Sequence, residues 1–177
     1  MSKEIFLCAD HHFNHKKIIL NKEEKVNGWS RNFESIEEMN ELLINNHNSV
    51  VKPRDIVYML GDVCSDEDSF KFIKRMNGYK ILVMGNNDKQ QIKNYIKSFK
   101  DCKGAVKLGE IVLTHIPVHP SQLLHKWNFN IHGHLHSYLI NDSRYLNVSV
   151  EQIKFTPINL DRAMLKLMAH YRTTGEI

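Results

Sequence analysis

No disulfide framework fits this chain. Its three cysteines, Cys8, Cys64 and Cys102, are odd in number and widely spaced, a usage that suits a reducing compartment and leaves them as buried or incidental thiols. No stretch approaches the roughly 20 apolar residues of a membrane span. The apolar part of the opening MSKEIFLCAD is too short for a signal segment, so the expectation is a cytoplasmic protein. No long Lys/Arg run marks a nucleic-acid arm; a formal charge of +4 and a pI near 8.9 favour anionic ligands in general and name no partner. No repeat or low-complexity linker divides the 177 residues, which are 42% hydrophobic and 25% charged, so one domain over 1–177 with one good core is expected. An obvious Ser or Cys nucleophile motif is missing as well.

Histidine is abundant instead. All of the 11 except His47 and His170 fall in three clusters, residues 11–15, 115–125 and 132–136. The last, IHGHLHS, sets His132, His134 and His136 on alternate positions. In an extended segment, or one leaving a strand end, at least two such rings converge on one point, which suggests a metal; a polar surface strand is the plain alternative.

The apolar runs EIFLCAD, DIVYMLGD, YKILVMGNND, EIVLTH and NFNIHGH share a pattern: a short, largely buried strand that stops at Asp, Gly, Asn or His. RYLNVSV reads as a further strand. Helical patterns lie between them. Ser35 with Glu38 forms a capping box ahead of Ile36, Met39, Leu42 and Leu43, and Ser65 with Asp68 does the same ahead of Phe70, Ile73 and Met76, closed by Gly78. DKQQIKNYIKSF places Ile92, Tyr95, Ile96 and Phe99 on one core-facing stripe, and a last helix is expected from about Asp161 to His170. Alternating strands and helices predict an α/β domain, whose ligands gather at the carboxyl ends of the strands.

Those ends carry Asp10 and His12 in ADHH, Asp62 in LGD, Asn86 in GNND, His115 in LTH, and His134 and His136 in GHLH. Imidazole nitrogen mixed with carboxylate and amide oxygen, without thiolate, suits Mn²⁺, Fe²⁺, Zn²⁺ or Co²⁺ rather than a Cys-type structural zinc. Seven such side chains exceed one tetrahedral ion and suffice for two ions ~3.5 to 4 Å apart if one carboxylate bridges them. Asp10 and His12 are expected on one face of a strand leaving the sheet, and the glycines before Asp62, Asn86 and His134 allow tight turns near the ions.

The order Asp-x-His, Gly-Asp, Gly-Asn-x-Asp, His, Gly-His-x-His, from Asp10 to His136, resembles the calcineurin-like metallophosphoesterases. ADHHFNHKKIIL, EEMNELLINNHNSVV and DIVYMLGD further resemble a small single-domain bacterial and phage branch of that family. The resemblance implies an α/β two-sheet sandwich flanked by helices (αββα), a minimal core without a cap domain. It implies two divalent ions, Mn²⁺ ahead of Fe²⁺, Zn²⁺, Ni²⁺ or Co²⁺. Asp10, His12 and His136 would bind the first, Asn86, His115 and His134 the second, and Asp62 would bridge; His132 carries no implied role. The implied activity is hydrolysis of phosphate esters by metal-activated water, which needs no protein nucleophile. Diesters are favoured over monoesters, with a phosphomonoesterase or nuclease of the same fold and a metal-binding interaction scaffold as the alternatives.

The third motif departs from the family. Where many members have Gly-Asn-His-Asp/Glu, Asn87 replaces the histidine that assists the leaving group, and an amide cannot deliver a proton. His15 or His119 would be substitutes, or plain solvent-facing histidines. Asp88 would orient the missing histidine, or else cap the next helix with Gln91, the role preferred here. Arg31, Arg144, Lys16 and Lys17 are candidates for a phosphate, and Trp29 and Tyr145 for a stacked base, although a surface position explains each as well. A phosphate-ester substrate, nucleotide-derived or other, is the expected partner, with no membrane and no strong nucleic-acid signal.

Overall fold

Alternation along the first strand sets up the layers. In β1 (Ile5–Cys8), Phe6 and Cys8 join one hydrophobic cluster, and Leu7, with Ala9 just beyond, joins another on the opposite face. The structure, a computed structural model, describes residues 3–20, 31–124 and 126–174. After β1 come α1 (Lys17–Leu20), α2 (Ile36–Val50), β2 (Ile56–Met59), α3 (Phe70–Lys74), β3 (Tyr79–Val83), α4 (Ile92–Tyr95) and β4 (Asp101–Lys103). Next are β5 (Val106–Leu108), β6 (Ile111–Leu113), a 3-10 turn at Pro120–Leu124, β7 (Phe129–His132), β8 (Tyr145–Asn147), β9 (Ile158–Asn159) and α5 (Leu160–Thr174).

Two sheets result. One has the order β4-β3-β2-β1-β9, parallel except for the antiparallel β1–β9 pair; the other is β5-β6-β7-β8, with β6, β7 and β8 parallel. Leu7, Ala9, Leu60 and Val83 of the first sheet pack against Ile111, Leu113, Phe129 and Ile131 of the second and against Ala163 and Leu167 of α5. The outer face of the first sheet, with Phe6, Val57, Met59 and Leu82, packs against Met39 and Leu43 of α2 and Ile73 of α3. Burial on both faces explains why its central strands β1 and β2 read as unbroken apolar runs. This is the expected α/β two-sheet sandwich with flanking helices. Among the described residues, no helix is long and apolar enough to cross a membrane.

Local signals succeed where the side chain has no competing partner. Ser35 caps α2 by accepting Glu38 N–H at 3.1 Å, and Glu38 Oε2 accepts Glu34 N–H at 2.7 Å, one residue earlier than a capping box would place it. The Ser65 box does not form. Asp66 Oδ1 accepts both the N–H and the hydroxyl of Ser69 at 2.8 Å, and α3 starts at Phe70. The stripe over 88–99 is half right: Tyr95 and Phe99 are buried, but Ile92 and Ile96 are exposed and only Ile92–Tyr95 is regular helix. Strands β4, β5 and β9, each two or three residues long, lie outside the apolar runs that mark the others. Cys8 and Cys64 are buried, Cys102 is half-buried, and all are free thiols.

Parallel pairing places the carboxyl ends of β1, β2 and β3 on one edge. The second sheet meets them there: Ala9 bridges Ser149, and Val150 N–H donates to Ala9 O at 3.1 Å.

Candidate metal centre

The turns that leave these strands have unusual backbone. Asp10, His12, Asp62, His134 and His136 all have positive φ, between 49° and 68°, a region costing non-glycine residues on the order of 1 kcal/mol or more. Neighbouring turns hold them there. Asp10 N–H donates to Gly61 O and His12 N–H to Asp62 O, each at 3.0 Å, while the His136 carbonyl accepts amide N–H groups from Asn147 and Gln152 at 2.9 Å. Asp10 and His12 therefore do not share a strand face as expected; left-handed turns aim both inward. His132 ends β7, whereas His134 and His136 belong to the turn beyond it.

Two glycines show how tightly the turns close. A Cβ at Gly133 would lie 2.5 Å from Asp10 Oδ2, and one at Gly85 would collide with Asp62 Oδ1. Small residues here serve close approach as much as turning.

At the centre, Asp10 Oδ2 accepts from Ser149 Oγ at 2.8 Å and from His134 N–H at 2.9 Å, and buried Oδ1 has no hydrogen-bond partner. Asp10 Oδ1 lies 3.8 Å from His136 Nε2 and 4.0 Å from His115 Nδ1. His12 Nε2, also buried and without a hydrogen-bond partner, is 3.6 Å from Asp62 Oδ2; the other oxygen of Asp62 is 3.4 Å from His115 Nε2. Ligand atoms of Asp10, His12 and His136 lie within 4.8 Å of one another, as do those of Asp10, Asp62 and His115. Asn86 Oδ1 is 2.9 Å from His115 Nε2, and the His134 ring stands 5.0 Å from that of His115. The fold thus brings together all seven residues singled out in the sequence.

This donor set fits divalent cations. His115 Nδ1 lies 2.8 Å from Leu60 O, a group that can only accept, so Nδ1 carries a proton, while Nε2 faces Asn86 Oδ1 at 2.9 Å and Asp62 Oδ1 at 3.4 Å. A ring nitrogen and two oxygens thus converge on one point, the donor types a divalent cation takes. Burial pushes the Asp10 carboxyl up to about 6 against the pull of His136 and His115, as expected for a buried carboxylate short of positive charge. Asp62 is also disfavoured by burial, but the bond and charge of His115 and two hydrogen bonds from Asn87 outweigh this and hold it well below the carboxylate range.

The other expectations divide. Asn87 is at the centre, donating its backbone N–H to Asp62 Oδ1 and its amide to Oδ2, both at 2.7 Å. His15 is half-buried, its Nδ1 3.5 Å from His12 Nδ1. His119 is exposed and its ring bonds Ser121 within its own turn, so the structure does not bring it into the cluster. Asp88 caps no helix. It is buried and accepts N–H groups from Asp62, Val63, Cys64 and Gly85 at 2.8 to 3.3 Å. Arg31 is buried at 2% exposure and Tyr145 at 8%, its hydroxyl on Val118 O, so neither offers a surface to a phosphate or a base. Arg144 forks onto Asp142, and Lys16 and Lys17 are exposed. Trp29 and His125 lie outside the described residues.

Sequence reading missed Ser149 and Glu151. Glu151 Oε1 accepts from His136 Nδ1 at 2.8 Å and from Arg31 Nε at 2.9 Å; although burial disfavours its charge, the Arg31 guanidinium and the His136 bond hold its carboxyl at about 2. One signal was present, because NVSVEQ is another apolar run that stops at polar residues, like the five that were used.

Fold and site together define an α/β two-sheet protein with a buried Asp/His cluster of a kind that holds metal ions. The chain is 33% identical over 170 residues to uncharacterized protein MJ1445 of Methanocaldococcus jannaschii, covering 90% of this chain and 88% of that one, and it belongs to the same family. No family model matches the sequence. The crystal structure of AQ665, a protein of unknown function from Aquifex aeolicus, has the same fold, with a TM-score of 0.69 and 24% identity over 94% of this chain and 100% of that one. An archaeal phosphodiesterase aligns with a TM-score of 0.47 and 19% identity over 82% of each chain, too low to carry its site across.

Proposed function

We propose that this protein is a phosphoesterase of the calcineurin-like superfamily that uses two divalent ions, Mn²⁺ foremost, and prefers phosphodiesters to monoesters. The observation that carries this reading is the position of Asp62, whose oxygens face His12 at 3.6 Å on one side and His115 at 3.4 Å on the other. Asp10, His12 and His136 would hold one ion, Asn86, His115 and His134 the second, and Asp62 both. When bound, such a pair supplies an activated water near neutral pH and neutralises phosphate oxygens during in-line attack.

The chain's own groups do the rest. Asn87 grips both oxygens of Asp62 and so fixes the carboxylate between the two ligand sets. Its amide donates hydrogen bonds but is too weak an acid to give up a proton, so a substrate whose leaving group departs unaided is favoured. A cavity of about 390 Å³ beside Asn86 and His115 is lined by Met84, Gly85, Gly104, Thr114 and Ile116, with no Lys or Arg. An uncharged ester group suits such walls better than the extra negative charge of an ionised monoester, which again favours a diester.

Purified protein should contain divalent metal and cleave bis(4-nitrophenyl) phosphate, lose the activity to a chelator and regain it with about two equivalents of Mn²⁺. Hydrolysis that ignores chelation would overturn the reading.

A further inference from the structure

We infer that Arg31 and Glu151 form a positioning pair that orients the ligands of one ion, those on Asp10, His12 and His136. This rests on the reading of the cluster as a metal centre. A carboxylate only accepts, so the 2.8 Å contact between Glu151 Oε1 and His136 Nδ1 puts the ring proton on Nδ1. Nε2 then carries the lone pair, and it is the atom on the Asp10 side, 3.8 Å from Oδ1. Carboxylate partners of this sort fix the tautomer and rotation of ligating histidines and raise their basicity.

Arg31 completes the device from behind. Its Nε donates to the same Glu151 oxygen at 2.9 Å, Nη1 donates to His11 O at 2.7 Å, and Nη2 donates to Asp10 O. One buried guanidinium thus clamps the left-handed turn that presents Asp10 and His12 and, through Glu151, the ring of His136, residues more than a hundred positions away in sequence. The planar fork reaches all three acceptors; an ammonium on a flexible stem does not. The Phe155 ring packs against the guanidinium, its centroid 5.8 Å from Cζ. The Asp62 and His115 side receives no bond from the pair.

The test is Mn²⁺ titration of the metal-stripped full-length protein, followed by calorimetry, together with ¹H–¹⁵N correlation of the histidine ring nitrogens. Glu151→Gln should weaken one ion roughly 10- to 100-fold while the other changes less than about twofold, and Arg31→Lys should act in the same direction. In metal-free protein, the His136 Nδ1–H signal should be present in wild type and shifted or lost in Glu151→Gln. A merely structural role would lower the melting temperature and leave both the ring signal and the difference between the ions unmoved. If Glu151→Gln binds both ions as wild type does, with an unchanged ring signal, the pair has no positioning role. If wild type itself binds no Mn²⁺, the phosphoesterase reading fails, and the ring signal alone decides whether Glu151 sets the tautomer.

Discussion

Asp88 Oδ2 accepts the backbone N–H of Asp62 at 2.9 Å, so a carboxylate one would read as a helix cap instead shapes the turn that carries the central carboxylate of the Asp/His cluster. The same side chain takes the N–H groups of Val63, Cys64 and Gly85, tying the ends of β2 and β3 together beneath the cluster.

Removing that carboxylate leaves four buried donors without partners, each worth about 1 to 3 kcal/mol. Asp88→Ala is expected to lower stability by about 3 kcal/mol or more and to reduce metal content, whereas Asp88→Asn, which keeps one accepting oxygen, should lose less. Chemical unfolding and metal analysis of the purified variants check this. A loss below about 1 kcal/mol for Asp88→Ala would mean that water replaces the carboxylate.

The three alternate histidines should separate by metal content. His134→Ala and His136→Ala are each expected to lose one ion, and a different one. His132, buried in β7 with Nδ1 at 2.8 Å from Gly133 O, should on replacement by alanine lower stability by about 2 kcal/mol or more and keep both ions. Metal stoichiometry on the three variants decides; loss of both ions from His132→Ala would contradict the assignment.

Asn87 makes leaving-group dependence measurable. With no acid at this position, aryl phosphodiesters should be cleaved well and alkyl monoesters poorly. Asn87→His gives up the amide bond to Asp62 Oδ2 but adds a group able to protonate, so monoesterase activity should rise relative to diesterase activity. The measurement is a leaving-group series on both proteins at matched metal content. Wild type that hydrolyses alkyl monoesters faster than aryl diesters would point to another proton donor, with His15 the first to replace.

Away from the cluster, His47 should give stability a pH dependence of its own. The ring is fully buried with Nε2 on Asn77 O at 2.9 Å, and burial, opposed by that bond and aided by Lys80, pushes it from 6.5 down to about 4. The unfolded chain therefore takes up a proton below 6.5 that the folded chain refuses until about 4, so stability is intact above this window and falls as pH drops through it. At pH 5 the loss should be about 2 kcal/mol, and His47→Gln, which can still donate to Asn77, should lack that share. Denaturant midpoints for both proteins at pH 7 and pH 5 provide the comparison; equal slopes with pH would show that His47 contributes nothing.

The strands β1, β2, β3, β6 and β7 and the ligand residues at their ends were legible from sequence because both follow local rules. A strand buried on both faces is largely apolar, and the polar residues that serve a ligand gather where such strands end. Ser35 was legible for the same reason: its bond to Glu38 N–H lies within four residues. Tertiary structure decided everything that needs two distant segments at once. Left-handed backbone at Asp10 and His136 is unfavourable locally and persists only because bonds from Gly61, Asn147 and Gln152 outweigh its cost, so no propensity encodes it. Asp88 and Arg31 carry charges that a single sequence assigns to a helix end and to the surface. Their burial is stable only because the fold delivers four N–H groups to one and Glu151 with two carbonyls to the other, and those partners come from other segments of the chain.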